Sequence, residues 1–474
     1  MGDSATGRGH PDLPAALACL ILMAVWLVLF RPGYSVMGGG DFALYLLHAQ
    51  ALAEARPYGE TGFVYNPANA IMSPAAYPPG LPLLLAPVVA LFGLDFTAIK
   101  LVMLAALLAM LWALHRIALP EFGPRWSAVL VLAAGLSPAI LMRRDAIGAD
   151  MPFAAWCLLA LLGARGRPAP LAVGVAMALL TRSIGIVLVD ALAFDLLFRA
   201  APMRRRLAPA LAAGVAVAVA GTLLLPADNA TYAGYFTRLH PTGLARHLVG
   251  AAQAYGLAVV DLFGLSFGRL ANAPVLLALV ALIALGLFQR LRRGPDAVSL
   301  FVLLYGAALI AYPVHLEPTR YALPILPLLL LLALEPVQRR VPIPAALAVL
   351  ALLYAPYYAT RDPAAQSPLT ADSPEVQALV ARMQEAPPGT LFLARNPRLW
   401  ALLAPRPAVA WPEHLTPAGF GATVATFRPA YLIEERWLRT DEASTLAGIA
   451  AALPVTYENP AYRLRAIRAA APGR

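Results

Sequence analysis

Apolar residues in this chain fall into long charge-free runs joined by short basic connections, and the first run, residues 13 to 30, sets the pattern. About fifty residues rich in acids, histidine, tyrosine and proline follow before the next long apolar run. A hydrocarbon core ~30 Å thick needs roughly 20 apolar residues as helix, so runs near that length are the spanning candidates. About eleven are found, near 12–30, 96–116, 125–142, 150–164, 169–183, 184–199, 207–225, 272–290, 297–314, 321–337 and 342–358. Arg182, between the two short runs of 169–199, marks the turn of a tight hairpin. Residues 80–93 are apolar over only fourteen positions, a length that suits a re-entrant or interfacial segment.

The charges between runs test that count. With a cytoplasmic N-terminus and eleven spans, the inner connections hold Arg116 and Arg125, Arg165 and Arg167, Arg199 with Arg204, Arg205 and Arg206, Arg290 with Arg292 and Arg293, and Arg339 with Arg340. Each is basic, as the positive-inside rule requires. The outer connections are then 31–95, 143–149, 226–271 and 315–320. Residues 41–55 and 243–264 mix apolar and polar positions in a helical pattern and suit interfacial helices.

Past residue 358 the pattern changes. A proline- and aspartate-rich linker over 359–373 leads into alternating short elements: helix 374–385, strand 390–394, helix 396–403, strand 408–411, strand 430–434, helix 440–452 and a final segment 455–467. Alternation of that kind predicts a small α/β domain over 374–474, extracytoplasmic by the topology above. It has no glycine-rich phosphate loop and no Cys/His cluster, so it is assigned recognition or stabilisation and no chemistry. The fold class is thus a polytopic α-helical membrane domain over 1–358, with interfacial helices in its first outer loop at 31–95, plus this α/β domain.

Composition agrees. Of 474 residues 60% are hydrophobic and 13% charged, and the mean hydropathy is +0.69, far more apolar than a soluble protein. The net charge of +10 comes from arginines scattered between runs, a pattern of topology anchors and not of nucleic-acid binding. Cys19 and Cys157 both lie in apolar runs and read as packing residues, not a disulfide. Without a basic start or a small-residue cleavage site, the first run is expected to be a retained helix.

Three polar groups interrupt the membrane pattern on the outer side. Gly38-Gly39-Gly40-Asp41 opens the first loop, where glycines permit close approach and a carboxylate can take a proton from a hydroxyl or bind a divalent cation. The alternative is that Asp41 caps a helix. Arg143-Arg144-Asp145 with Asp150 forms a second group. Its arginines run against the positive-inside pattern and suit a phosphate, although Arg-Asp neutralisation explains them equally well. The third group is His315, Glu317, Arg320 and Tyr321; Arg182, Arg238 and His240 are further basic residues on this face. The combination suits a lipid-linked phosphate donor, with its tail in the bilayer and its headgroup at the interface.

The order Gly40-Asp41 to Tyr45, Ala53 to Tyr58, Tyr77-Pro78-Pro79-Gly80-Leu81-Pro82-Leu83, Asp145 to Phe153, Thr181-Arg182-Ser183-Ile184-Gly185 and Arg320-Tyr321-Ala322-Leu323-Pro324 resembles bacterial membrane glycosyltransferases of the GT-C class. The groups it is most similar to are the protein O-mannosyltransferase-like and lipid A aminoarabinose transferase-like enzymes. The resemblance implies inverting transfer of a hexosyl or pentosyl unit from a polyprenyl-phosphate carrier to a protein, lipid or glycan acceptor at a bacterial inner membrane. It implies that Asp41 is the catalytic base or lies beside the metal; from the charge pattern itself, Asp145 and Asp150 are expected to form a second acidic group and Arg143, Arg144, Arg320 and Tyr321 to hold the donor phosphate. Tyr45, His48, Tyr77, Arg182, His240, His315 and Glu317 would line the substrate pocket. A divalent cation, Mg or Mn, would sit on Asp41, Asp145 and Asp150. The sequence departs from some relatives in having a lone acid in the first loop and only Lys100 as lysine. The alternatives are a transporter or flippase of a lipid-linked substrate, or an inactive binding protein on the same scaffold.

Overall fold

The structure is a computed structural model that describes residues 12–37, 40–226, 244–312, 317–362, 365, 367–437 and 441–467. The chain forms two compact units, Met1–Phe30 with Lys100–Gly221 and Tyr235–Ala365, and Arg31–Ile99 with Thr222–Gly234 and Gln366–Arg474.

The first unit is helical. Among the described residues four helices are long and apolar enough to cross a membrane: Phe96–Gly135, Ala201–Leu224, Asn272–Arg292 and Ile343–Thr360. Shorter apolar helices include Leu13–Val28, Asp150–Gly163, Pro168–Thr181 and Ala297–Ala311. Trp26, Leu111, Phe153, Leu188, Phe301 and Leu326 meet in one buried core. The outward faces are apolar too: Val217 is 57% exposed, Val219 53%, Leu277 71% and Leu352 68%. In water such a surface would cost about 25 cal/mol for each Å² left uncovered. In lipid it does not, and the protein is a membrane protein.

Close helix contacts depend on small residues, as expected where no hydrophobic effect drives association. A Cβ added at Gly163 would lie 2.3 Å from the Leu171 backbone nitrogen, and one at Gly174 would lie 2.5 Å from that of Ala160. Helices Asp150–Gly163 and Pro168–Thr181 therefore pack backbone to backbone. Arg182 follows in extended conformation, φ −148 and ψ 137, and turns the chain into Ile186–Phe198, the expected hairpin.

One boundary differs from the sequence reading. The connection expected between Arg116 and Arg125 is helical, and helix continues from Phe96 to Gly135 with a single break at Gly123, φ 70 and ψ 174. Residues 117–122 carry enough apolar character to prolong the helix, so it is broken only at Gly123, whose positive φ glycine adopts readily and which Pro124 follows.

Asp195 and Glu335, ionisable groups inside the predicted runs, are engaged in ion pairs. Asp195 takes Arg199 Nε at 2.9 Å and Nη2 at 3.0 Å. Buried Arg290 pairs with Glu121, and its Nε lies 3.5 Å from Asp296 and 3.8 Å from Glu335. Arg165 adds a 3.0 Å contact to Glu121, and Arg293 pairs with Glu335. Pairing of this kind makes intramembrane charge tolerable, and these acids need no transport role to explain them.

The second unit holds the helices Asp41–Ala53 and Gly80–Phe92 and a six-stranded sheet. Its strands are β1 Phe63–Val64, β2 Phe392–Ala394, β3 Ala408–Ala410, β4 Tyr431–Glu435, β5 Val455–Glu458 and β6 Tyr462–Ala466. Their order is β1-β3-β2-β4-β6-β5. The first four in that order are parallel, whereas β6 pairs antiparallel with both β4 and β5. Helices Pro374–Gln384, Pro397–Leu403 and Asp441–Ala450 fall within two residues of their predicted bounds. Helix Pro417–Phe427 and strand β1 were not anticipated. β1 comes from the first loop, with Phe63 opposite Ala408 and Val64 opposite Val409. The Asn66 amide donates to the Ala410 carbonyl and that of Asn69 to the Trp411 carbonyl, both at 2.8 Å. These bonds tie residues 62–69 of the first loop to the strand they join, more than 340 positions away.

Candidate active site

Asp41 begins helix Asp41–Ala53, whose N-cap is Gly40. The capping alternative therefore does not describe it: glycine holds the cap, and Asp41 stands in the first turn, where a carboxylate complements the helix dipole. A larger residue at position 40 would have to displace the Asn396 side chain. A Cβ there would lie 2.0 Å from Asn396 Oδ1.

The Asp41 carboxylate, 36% exposed, faces two donors. Tyr77 donates its hydroxyl to Oδ1 at 2.6 Å, and Arg398 donates Nη1–H to the same oxygen at 3.1 Å. Arg398 Nη1 also reaches the Tyr77 hydroxyl at 3.0 Å. Its Nη2 donates to the Met72 and Pro74 carbonyls, the latter at 2.9 Å. The guanidinium lies over the rings of Phe63 at 4.9 Å and Tyr77 at 5.2 Å.

Behind Tyr77 stands a second layer. Tyr45 stacks on Tyr77 with centroids 4.5 Å apart, and His48 stacks on Tyr58 at 4.2 Å. His48 is fully buried, donates Nδ1–H to the Tyr58 carbonyl at 2.8 Å, and accepts the Tyr77 backbone N–H on Nε2 at 3.2 Å. Tyr58 completes the layer by donating its hydroxyl to the Tyr77 carbonyl at 2.8 Å.

Such bonding needs a neutral imidazole. Burial first, and the Arg398 charge after it, hold the His48 pKa at about 4 against the opposing Tyr58 carbonyl. Because the folded value lies below the ordinary 6.5, the unfolded chain binds more protons between them. Stability is therefore whole above pH 6.5 and falls by roughly 3 kcal/mol as the pH drops to 4. Denaturant melts of wild type and His48→Gln across this window should differ in pH slope, and equal slopes would contradict the assignment.

The first unit carries the other predicted groups. Asp150, at the start of helix Asp150–Gly163, accepts Arg182 Nη1–H at 2.5 Å on Oδ1 and Arg320 Nε–H at 2.9 Å on Oδ2. Arg320 Nη1 also reaches Glu317 at 2.8 Å, and Arg143 adds positive charge near Asp150. Tyr321 receives the Tyr305 hydroxyl on its carbonyl at 3.0 Å.

Asp145, which the sequence reading grouped with Asp150, has a cation of its own beside it. It lies 4.0 Å from Lys100 Nζ, with both side chains buried. Arg144 is also fully buried and donates Nη1–H to the Leu141 carbonyl at 2.8 Å. Residues 142–145 form a turn, and Asp150 already belongs to the next helix. Arg238, His240 and His315 lie outside the described residues.

Sequence reasoning missed Arg398 altogether. One signal was present: a cation in the first turn of helix Pro397–Leu403 opposes the helix dipole and asks for a local partner. For a cation, the residues do not fit. Among the described residues no three His, Cys, Asp or Glu side chains stand together as a metal site. Asp150 already carries two arginines and Asp41 one.

No family profile and no curated protein matches the chain. Solved structures do. The structure of ArnT from Cupriavidus metallidurans bound to undecaprenyl phosphate matches with a TM-score of 0.59 and 14% identity, over 98% of this chain and 100% of that one. The Archaeoglobus fulgidus oligosaccharyltransferase in complex with Zn and sulfate matches at 0.61 and 13%, over 89% of this chain and 68% of that one. The mycobacterial arabinofuranosyltransferase AftD matches at 0.57 and 16%, over 98% of this chain and 40% of that one. All three are GT-C glycosyltransferases, and the chain shares their fold.

Proposed function

We propose that the protein transfers a sugar from a polyprenyl-phosphate carrier to an extracytoplasmic acceptor, with inversion at the anomeric carbon and Asp41 as base. The observation that carries this reading is the full-length match to a structure holding undecaprenyl phosphate, together with a first-loop carboxylate oriented by two donors. In the proposed step the acceptor oxygen bonds to the anomeric carbon as its proton passes to Asp41. The bond from that carbon to the phosphate oxygen breaks, and the electron pair leaves with polyprenyl phosphate. A base in hydrogen-bond reach typically contributes 10²–10⁴-fold.

Arg182 and Arg320 are assigned to the donor phosphate. Arginine presents a planar fork to phosphate oxygens, and Asp150 already draws Arg182 and Arg320 together by accepting one N–H from each on a carboxylate. Arg144 is less suited, being enclosed by its own unit. The basic connections between apolar runs support a bacterial inner-membrane location, with the N-terminus cytoplasmic and the first loop and C-terminal sheet outside.

The test uses full-length protein in proteoliposomes with undecaprenyl phosphate carrying a radiolabelled hexose or pentose, and a membrane extract as acceptor. Label should move to acceptor with release of undecaprenyl phosphate. Labelled donor that crosses the bilayer intact, with no transfer, would establish the transporter reading instead.

A further inference from the structure

We propose that Arg398, in the first turn of the helix that follows β2, is the positioning residue for Asp41, so that the C-terminal sheet directs the catalytic group. This rests on the reading of Asp41 as base. The parallel strands run β3-β2-β4, so the direction of connection reverses at β2. Open α/β sheets place their functional loops at the carboxyl ends of the strands beside such a reversal. β2 ends at Ala394, and Asn396 and Arg398 follow directly.

A purely structural arginine explains the geometry poorly. Arg398 is fully buried, and a buried guanidinium costs several kcal/mol unless a counter-ion and hydrogen bonds offset it. An apolar side chain between Phe63 and Tyr77 would pack without that penalty. Instead Nη2 is pinned by the Met72 and Pro74 carbonyls and the plane by two rings, and only then does Nη1 meet Asp41 and Tyr77. The guanidinium is thus fixed before it reaches the carboxylate. Because both donors converge on Oδ1, they set the carboxylate plane and with it the direction of Oδ2. A base held in its productive orientation loses no freedom at the transition state.

The experiment compares Arg398→Gln, Arg398→Lys, Tyr77→Phe, Asp41→Asn and the double variant Asp41→Asn/Arg398→Gln, all as full-length protein in proteoliposomes. Arg398→Gln should lower kcat about a hundredfold with donor KM within about threefold. Arg398→Lys should restore part of that loss, because it keeps the charge but not the fork. The double variant should be no slower than Asp41→Asn alone. If Arg398→Gln turns over at the wild-type rate while Asp41→Asn is dead, Arg398 is structural and the positioning role is overturned, with the base intact. If Asp41→Asn itself keeps wild-type activity, the base reading fails and the positioning role with it. Should Arg398→Gln not fold, Arg398→Lys and Tyr77→Phe decide: a lower kcat at unchanged KM in either supports the proposal, and wild-type kcat in both overturns it.

Discussion

Asp41→Asn is expected to lower the transfer rate at saturating donor by about 10²–10⁴-fold, the usual contribution of a general base. Asparagine keeps the size of the side chain, and its amide oxygen can still receive Tyr77 and Arg398, which reach Oδ1 at 2.6 and 3.1 Å. What it loses is the capacity to take a proton. The substitution also leaves the fully buried Arg398 without its carboxylate, and removing one partner of a buried ion pair typically costs about 3–5 kcal/mol. Rate and stability must therefore be measured on one preparation. Asp41→Glu separates them, since it keeps the charge but displaces the oxygen by one methylene; it should fold better than Asp41→Asn and still be slow. Transfer by Asp41→Asn within twofold of wild type, in protein with a normal melt, would remove Asp41 from the chemistry.

How far the sequence foretold this site follows from which interactions are local. The apolar runs were readable because each helix buries or exposes its own neighbours, and the hairpin turn at Arg182 appeared where expected. Helix Asp41–Ala53 was readable for the same reason, ending two residues before its predicted end at 55. The partners of Asp41 were not. Tyr77 is 36 positions away and Arg398 is 357, and no periodicity connects residues that meet only through tertiary structure. β1 shows the same limit: two residues long, it has no alternation to detect and exists as a strand because Ala408 and Val409 pair with it. The C-terminal elements could be predicted individually, but their role could not, since a domain without a phosphate loop or metal cluster shows no chemistry of its own. Asp145 and Asp150, five residues apart in sequence, take different partners, the first Lys100 and the second Arg182 and Arg320, and spacing alone does not name them.

Asp150→Ala is expected to reduce the stability of the helical unit by about 3–5 kcal/mol, because it strips a common carboxylate from two partly enclosed guanidiniums. The side chains of Arg182 and Arg320 are 17% and 20% exposed, and Asp150 bridges them at 2.5 and 2.9 Å. Arg320 keeps Glu317 at 2.8 Å, but that acid is 55% exposed and its pairing is correspondingly weak. Two like charges would then repel across the gap the carboxylate had filled, and the helix would lose the acid of its first turn. Asp150→Asn should be milder, since an amide oxygen can still accept one guanidinium, and Arg182→Gln on the Asp150→Ala background should recover part of the loss by removing one of the repelling charges. Thermal unfolding in detergent reads all three. If the arginines hold the donor phosphate, added undecaprenyl phosphate should stabilise Asp150→Ala more than wild type, because a dianion then replaces the missing carboxylate between them. A smaller ligand-induced shift in Asp150→Ala than in wild type would argue that Asp150 helps to shape the phosphate site, and an equal shift would place the phosphate away from Arg182 and Arg320.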